Sequence, residues 1–471
     1  MNTAVKNWRV FLFFFIFTFR AGAESSEVMT LLAGYLKNDL ELAKRAVKLR
    51  QAEISGERTG IENGIDLTIN TGQVYITFEE NQSVVSASPE AIVKLPAING
   101  MNISVSTPLT IDSKRSEPVF DDTRFSVSAD IIGTEAKQRE ISLLTAERET
   151  LLARRELQRR ASEAEKQFYT ALKEIYETSA QALSYEEDVF SKQIELAISK
   201  AQGYSADSVN YRTLELEVED ARRGAEQSHR LANRKLRRFA RDCGVTALEK
   251  APEFLPEVDI ETLDEFGRED EKSKFAALET ANWQRFIGEK ERAARKNFEL
   301  KAEGDITLNN THFERGTSAG AALTFGWKGL NWTIGGDFPV SGPKKYPALY
   351  FSLSFNSGKQ RSSKLDKRED ALKAEAENLE IRSALHEWED LTASVRDERA
   401  DLIWERKRLS LQFTLYSELE QNAELLYRRG LSAEADYRRA KTNRELARYR
   451  LLAADAKIQI HLIDCTLYFV K

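Results

Sequence analysis

Two short stretches decide the fold, Gly203-Tyr204-Ser205-Ala206-Asp207 and Gly430-Leu431-Ser432-Ala433-Glu434. Each consists of a glycine, a large side chain, a serine, an alanine and an acid. Glycine suits the left-handed position just after a helix, and serine suits the N-cap of the next helix. The sequence therefore predicts a tight turn between two helices at 203–206 and again at 430–433.

Both turns lie in long stretches without proline, 132–242 and 361–465. Proline breaks helix interiors, so these stretches permit very long helices. Apolar residues recur there every seven positions, as in helices that pack side by side. The repeating residues are Ala161, Phe168, Ile175, Ala182 and Val189, and then Ala374, Ile381, Trp388, Val395, Leu402, Leu409, Tyr416 and Ala423. We predict two α-hairpins, at 134–242 and 361–465, although a filamentous coiled coil would show the same repeat.

Alternating apolar and polar residues precede each hairpin, within 64–131 and 304–356. This period predicts strands with one apolar and one polar face. A soluble antiparallel sheet would show the same alternation, but the aromatic residues favour a membrane barrel whose apolar face contacts lipid. The predicted lipid-facing residues are Phe125, Val127, Ile131, Leu349, Phe351, Leu353 and Phe355.

The order of elements is repeated along the chain. We expect a helix before each strand zone, near 25–58 and near 270–302. The first repeat then covers 24–243 and the second 269–471, and an acidic linker at 244–268 joins them. Repeats of this size indicate the architecture of the whole chain.

The first 23 residues have the features of a signal peptide. Lys6 and Arg9 precede the apolar run 10–19, and Ala21-Gly22-Ala23 suits cleavage before Glu24. The run is too short for a membrane-spanning helix. We therefore expect the mature chain to leave the cytoplasm.

Residues suited to catalysis or cofactor binding form no recognisable group. The net charge of −6 gives no nucleic-acid signature, and the four histidines are scattered. His386-Glu387 lacks the second histidine of a zinc-protease helix, and no phosphate-binding glycine loop occurs. We expect no enzyme activity, cofactor, metal site or nucleic-acid partner.

Cys243 and Cys465 follow Asp242 and Asp464 at matching positions of the two repeats. Exported proteins can form disulfides. A bond between these two cysteines is one hypothesis, and a pair of buried free thiols is the other.

The chain resembles the TolC-like outer membrane efflux proteins over essentially its whole mature length. The resemblance rests on the duplicated architecture and on Tyr427-Arg428-Arg429-Gly430-Leu431-Ser432-Ala433-Glu434-Ala435-Asp436-Tyr437, together with Asn38-Asp39-Leu40-Glu41-Leu42-Ala43. It implies a mixed, mostly α fold, with an outer-membrane β-barrel continued by a long periplasmic α-helical barrel. The family forms homotrimers in which each chain gives four strands to a twelve-stranded barrel, whereas this sequence offers about four candidates in each half.

The resemblance also implies a role and partners. The chain would be the outer membrane channel of a tripartite efflux or type I secretion system. It would work with a periplasmic adaptor and an inner membrane transporter, and the alternatives are an adaptor protein or a structural coiled-coil protein. The turn residues would dock the adaptor, and they are Gly203, Tyr204, Ser205, Ala206, Gly430, Leu431, Ser432 and Ala433. Asp436 matches an acidic pore constriction, but Arg439 replaces a second acid one turn later.

Overall fold

The computed structural model describes most of the chain. The described residues are 26–79, 82–98, 100–112, 118–120, 122–256, 269–295, 298–310, 315–342 and 346–470. The expected signal peptide at 1–23 and residues 257–268 of the expected linker lie outside them. Within the described residues, no helix has both the length and the apolar character needed to cross a membrane.

The helices of the first half are α1 (Ser26–Asn38), α2 (Leu40–Glu62), α3 (Glu135–Ala201) and α4 (Val209–Asp242). Asp39 separates the first two. Its Oδ1 accepts hydrogen bonds from the Glu41 and Leu42 amides at 2.8 and 3.1 Å. Asp39 thereby satisfies amides that have no partner within the new helix.

The helices of the second half are α5 (Glu269–Lys272), α6 (Ala276–Ala294), α7 (Ser357–Arg428) and α8 (Glu434–Leu467). The prediction of a helix as far as 302 is wrong, because α6 ends at Ala294 and a strand begins at Phe298. Charged and apolar residues alternate from Phe298 to Glu303. That period fits a strand that packs by one face.

The described part of the first half also contains eight short strands. They are β1 (Asp66–Asn70), β2 (Tyr75–Glu79), β3 (Gln82–Ala87), β4 (Glu90–Leu95), β5 (Met101–Ser106), β6 (Leu109–Asp112), β7 (Pro118–Phe120) and β8 (Thr123–Ile132). Short interruptions of the β-structure divide what would otherwise be four long strands. Pro89 and Pro108 lie at two of these breaks, where proline supplies no amide to a ladder. The Thr107 amide donates to the Pro89 carbonyl at 3.0 Å and joins the two breaks.

The second half contains four longer strands, β9 (Phe298–Asn310), β10 (Arg315–Trp327), β11 (Leu330–Ser341) and β12 (Ala348–Phe355). One antiparallel sheet combines strands of both halves in the order β1-β4-β5-β8-β9-β10-β11-β12. A second, four-stranded sheet has the order β2-β3-β6-β7. Both regions predicted to form strands, 64–131 and 304–356, do contain strands, but the second region begins at 298 rather than 304.

The expectation of four strands per chain is wrong for this protein, because the larger sheet has eight. The strands of both halves pair in one continuous sheet. The centre of the sheet is the pairing of β8 with β9, from Thr123 opposite Leu308 to Ile132 opposite Leu300.

The chain divides into two compact units, and each contains segments of both expected repeats. The helical unit consists of the described parts of Met1–Ala46, Arg155–Ala276 and His386–Lys471. The sheet unit consists of the described parts of Val47–Arg154 and Ala277–Leu385. The repeat boundaries at 243 and 269 stay a prediction.

Aromatic side chains form the centre of the helical unit. The Phe168 ring lies 5.7 Å from Tyr35, 5.3 Å from Tyr169 and 5.2 Å from Phe239 between ring centroids. The Tyr176 hydroxyl donates to the Pro252 carbonyl at 2.8 Å. The cluster therefore holds α1, α3 and α4 together and fixes the segment after α4. Three residues of the first heptad repeat, Phe168, Ile175 and Ala182, are buried here.

Ion pairs join the helices of the sheet unit. Arg292 binds both oxygens of Glu377, at 2.6 and 2.7 Å, and so links α6 to α7. Arg148 binds both oxygens of Glu279 and lies over the Trp283 ring, which links α3 to α6. Paired guanidinium and carboxylate groups of this kind fix orientation as well as distance.

Candidate functional site

The eight-stranded sheet has one apolar face. The register of the strands places alternate residues in rows that cross the whole sheet. One such row is Leu67, Val93, Ile103, Val127, Gly304, Ala321, Gly336 and Leu349. No charged residue occurs among the described side chains of this face, and many of its large side chains are exposed. Exposed apolar surface of this extent indicates contact with lipid or protein.

Aromatic residues concentrate at one end of the apolar face, beside the helices. Phe298, Trp327, Leu330 and Phe355 form the row next to the end of α6 and the start of α7. In the next row the Phe325 and Trp332 rings stack at 4.4 Å between centroids. Membrane barrels carry aromatic rings at the boundary between lipid and water.

The opposite face of the sheet is polar. A row one residue along from the apolar row is Asp66, Lys94, Asn102, Ser128, Glu303, Ala322, Gly335 and Tyr350. Among its described side chains, the polar face also carries Glu90, Arg124, Asp130, Glu299, Lys301, Asp305 and Asp337, which brings its total to seven carboxylates and three basic groups. This face suits water rather than lipid.

Polar groups on this face bind one another across the strands. The Ser104 and Ser126 hydroxyls are 2.7 Å apart, and the Thr324 and Thr333 hydroxyls 3.0 Å apart. Arg124 Nε lies 3.4 Å from Asp305 Oδ2. Cross-strand pairs of this kind stabilise the register that keeps the two faces separate.

The residues predicted to face lipid fall on the apolar face, with one exception. Phe125 lies opposite Ile306 and Val127 opposite Gly304, while Leu349, Phe351, Leu353 and Phe355 form one side of β12. Ile131 lies where the register shifts between Asp130 and Ile132, so this β-bulge removes it from the paired rows.

Both predicted turns begin with the same helix ending. Gly203 and Gly430 have φ of +81° and +70°. The Gly203 amide donates to Lys200 and the Tyr204 amide to Ser199; the Gly430 and Leu431 amides donate to Tyr427 and Leu426 in the same pattern. This is the Schellman arrangement, and it requires the left-handed glycine.

The serines do not cap the next helices as predicted. Ser208 is the N-cap of α4, and its side chain accepts from the Tyr211 amide, while Ser205 accepts from the Asp207 amide. Ala433 is the N-cap of α8, with no side-chain bond. Ser432 instead donates to Asp436 Oδ2 at 3.2 Å. The first turn is therefore longer than the second, and Ala206 lies within it.

Ionic and aromatic contacts fix the second turn. The Tyr427 and Tyr437 rings stack across it at 5.7 Å. Arg439 Nε lies 3.1 Å from Glu187 Oε1, and the Arg438 guanidinium lies 4.1 Å from the centre of the Phe190 ring. Both contacts join the second hairpin to the first. Sequence reasoning missed Glu187 and Phe190, because their partners are about 250 positions away.

The turns expose apolar side chains. Tyr204 and Leu431 are 50% and 72% exposed, and Val209 and Leu216 near the first turn are also exposed. An open groove of about 710 Å³ adjoins the first turn and is lined partly by Leu196, Ala206 and Leu216. Exposed apolar groups with charged neighbours are common at protein contacts.

Cys243 and Cys465 are free thiols, so the disulfide hypothesis is wrong. Each belongs to a different hydrophobic cluster of the helical unit. The Cys465 sulfur lies 3.7 Å from His461 Nε2. Burial, with a smaller effect of the neighbouring aspartate, raises the pKa of both thiols to about 12 and keeps them protonated at neutral pH. Among the described residues, no group of three or more potential metal ligands occurs.

Two family profiles match consecutive parts of the chain. The TP096X N-terminal domain matches residues 31–261, and the TP096X C-terminal domain matches residues 256–471. The chain combines the two TP096X domains. Their boundary falls inside the acidic linker expected at 244–268, and the helix–strands–hairpin order occurs once in each TP096X domain.

Solved structures of outer membrane proteins resemble the chain at low sequence identity. VceC of Vibrio cholerae is 11% identical, with 94% of this chain and 95% of that chain covered and a TM-score of 0.47. The MtrE channel of Neisseria gonorrhoeae is 13% identical over 93% and 87%, with a TM-score of 0.43. The CmeC channel of Campylobacter jejuni is 14% identical over 93% and 84%, with a TM-score of 0.41. No curated protein matches the sequence.

Proposed function

We propose that the chain is an outer membrane channel that conducts solutes passively. The observation that carries this proposal is the eight-stranded sheet. Among its described side chains, one face is uncharged and has many exposed apolar residues, and the other face carries ten charged groups. Inside lipid, backbone groups must be paired and outward side chains must be apolar. When the sheet forms part of a barrel wall, its backbone groups are paired with neighbouring strands and its apolar face contacts the lipid. The polar face then lines a water-filled pore.

The long helices are proposed to lie in the periplasm. Helices α3 and α7 contain 67 and 72 residues, and each leads from the sheet to a turn. They bury apolar seams such as Trp388, Val395 and Leu402 while their other faces remain charged. We propose that they continue the pore as an α-helical tunnel of a homotrimer. A filament-forming protein would need no two-faced sheet, and a periplasmic adaptor would need no uncharged exposed face.

The turns are proposed to dock a periplasmic adaptor, which would connect the channel to an inner membrane transporter in an efflux or type I secretion system. The exposed side chains of Tyr204 and Leu431 support this role. Asp436 and Arg439 lie on the first turns of α8 and are proposed to border the entrance. Because Arg439 pairs with Glu187, the entrance would open only when this contact between the hairpins is released.

The function is tested by conductance in planar lipid bilayers. We expect the purified protein to insert as an oligomer and to give discrete, voltage-driven steps of current in salt solution. A protein that stays soluble, or that associates with vesicles without conducting, would contradict the channel function.

The docking role is tested by Leu431→Asp in cells that carry the partner proteins. We expect export to fall to the level of cells without the channel, because an exposed apolar contact is replaced by a charge. The variant should still assemble in the outer membrane and conduct in bilayers, since Leu431 lies on a turn with little packing. Normal export by this variant, and by Ser432→Trp, would overturn the assignment of the turns.

A further inference from the structure

The smaller sheet, β2-β3-β6-β7, has an apolar and exposed face of its own. The strand register places a set of apolar residues together on this face, namely Ile76, Phe78, Val85, Ala87, Leu109, Ile111 and Phe120. Among the described side chains of this face none is charged, and Phe78 is 80% exposed. A face of this kind is typical of a surface that contacts protein or membrane.

The two inner strands pass from the larger sheet to the smaller one without a change of register. Glu90 lies opposite Ser106 in the larger sheet, and Ala87 lies opposite Leu109 in the smaller one. Both strands therefore advance by the same three residues, from 90 to 87 and from 106 to 109. Because alternate residues of a strand share a face, the apolar face of the larger sheet continues into the smaller one.

Each outer strand contains one extra residue at the interruption. The first strand advances five residues, from Asn70 to Tyr75, while its neighbour advances four, from Glu90 to Ser86. Gly72 lies in this interval with φ of +66°. The fourth strand gains one residue in the same way, between 120 and 124. An extra residue of this kind is a β-bulge, and it moves the following side chains to the opposite face.

The sequence of the outer strands changes in step with these bulges. In the larger sheet their apolar residues have odd numbers, and these are Leu67, Ile69, Phe125 and Val127. In the smaller sheet they have even numbers, and these are Ile76, Phe78 and Phe120. The bulge and the change in alternation compensate each other, so one apolar face extends over all four strands of the first half.

The apolar bands of the two halves are displaced along the strands. On β9 the band runs from Phe298 to Leu308, and on β4 and β3 it runs from Leu95 to Val85. Each band therefore covers ten residues. Residue 94 lies in the row of residue 303, so Leu95 is level with 302, four residues further from the helices than Phe298. The band of the first half is thus displaced by four residues, which places its outer part on the smaller sheet.

Strand tilt accounts for this displacement. Strands β4 and β9 are three positions apart in the larger sheet, or about 14 Å at a spacing of about 4.8 Å. If the strands are tilted by about 40°, the plane of the membrane crosses β4 about 12 Å further along than it crosses β9. At about 3.3 Å per residue this is about four residues, as observed.

We propose that the smaller sheet lies in the outer leaflet of the membrane and that its apolar face contacts lipid. It is then the outer part of the barrel wall in the first half, rather than a domain in water. The exposed rings of Phe78 and Phe120 would lie near the outer boundary between lipid and water, where membrane barrels carry aromatic residues. This inference rests on the proposed channel function for its membrane setting.

The contact is tested by fluorescence quenching in phosphatidylcholine vesicles. Full chains with Cys243→Ala and Cys465→Ala carry one new cysteine with an environment-sensitive fluorophore, at Ile76→Cys, Thr77→Cys or Phe351→Cys. We expect lipids with a nitroxide close to the head group to remove most of the fluorescence of the label at 76. The label at 77 is the matched control, because Thr77 is also exposed but lies on the other face, and it should keep its fluorescence.

The label at 351 separates this inference from the channel function, because Phe351 lies on the apolar face of the larger sheet. We expect lipids with a deeper nitroxide to quench it. If they do not, the membrane setting of the channel function is contradicted. If the label at 351 is quenched while labels at Ile76→Cys and Phe78→Cys are not, only the lipid contact of the smaller sheet is overturned. Equal quenching at 76 and 77 would overturn it as well.

Discussion

Replacing Phe351 with arginine is expected to prevent stable insertion of the protein into lipid. Phe351 lies on the apolar face, opposite Ile334, and one row further from the helices than the stacked Phe325 and Trp332. A charged side chain near the middle of the bilayer costs a membrane barrel about 2–4 kcal/mol. The folding equilibrium should fall roughly 30- to 700-fold, as measured by urea titration of protein refolded in vesicles.

The neighbouring residue provides the matched control. Ser352 lies on the polar face, opposite Thr333, so Ser352→Arg should place its charge in water. We expect it to change the folding free energy by less than about 0.5 kcal/mol, as for most surface substitutions. Equal effects of Phe351→Arg and Ser352→Arg would show that the two faces do not meet different solvents, and the membrane assignment would then be wrong.

The faces of the sheet could be predicted because they depend only on neighbouring residues. Leu349, Phe351, Leu353 and Phe355 alternate with small or polar residues, and that local period survives in the structure. The number of strands could not be taken from the resemblance. It depends on whether segments such as β4 and β9 pair across the sheet, and this pairing is a property of distant residues.

In the turns, too, the features that depend on neighbouring residues could be predicted, and those that depend on distant residues could not. Gly203 and Gly430 were predicted correctly as helix ends, because a left-handed residue is a local requirement. The predicted caps were wrong, because Ser205 and Ser208 are equally good candidates by residue type and the tertiary path of the turn selects Ser208. Cys243 and Cys465 occupy matching repeat positions, but packing places them in separate clusters.

Replacing Phe168 with alanine is expected to cause the largest loss of stability in the helical unit. The side chain is 0% exposed and contacts aromatic rings from α1, α3 and α4. Truncation leaves a cavity among residues on three helices, which cannot all move inward. Substitutions of this kind cost about 3–5 kcal/mol. Urea unfolding followed by helical circular dichroism in detergent should show a correspondingly lower midpoint.

Leu411→Ala is the control for Phe168→Ala, because it removes an apolar side chain that is not packed in the core. Leu411 lies on α7 in the same unit, but it is 65% exposed. We expect its truncation to change stability by less than about 0.5 kcal/mol in the same titration. If Phe168→Ala proved as mild as Leu411→Ala, the aromatic cluster would not be the element that holds the hairpin against α1. The helical unit would then depend on its ion pairs, such as the largely buried pair of Arg160 with Asp39.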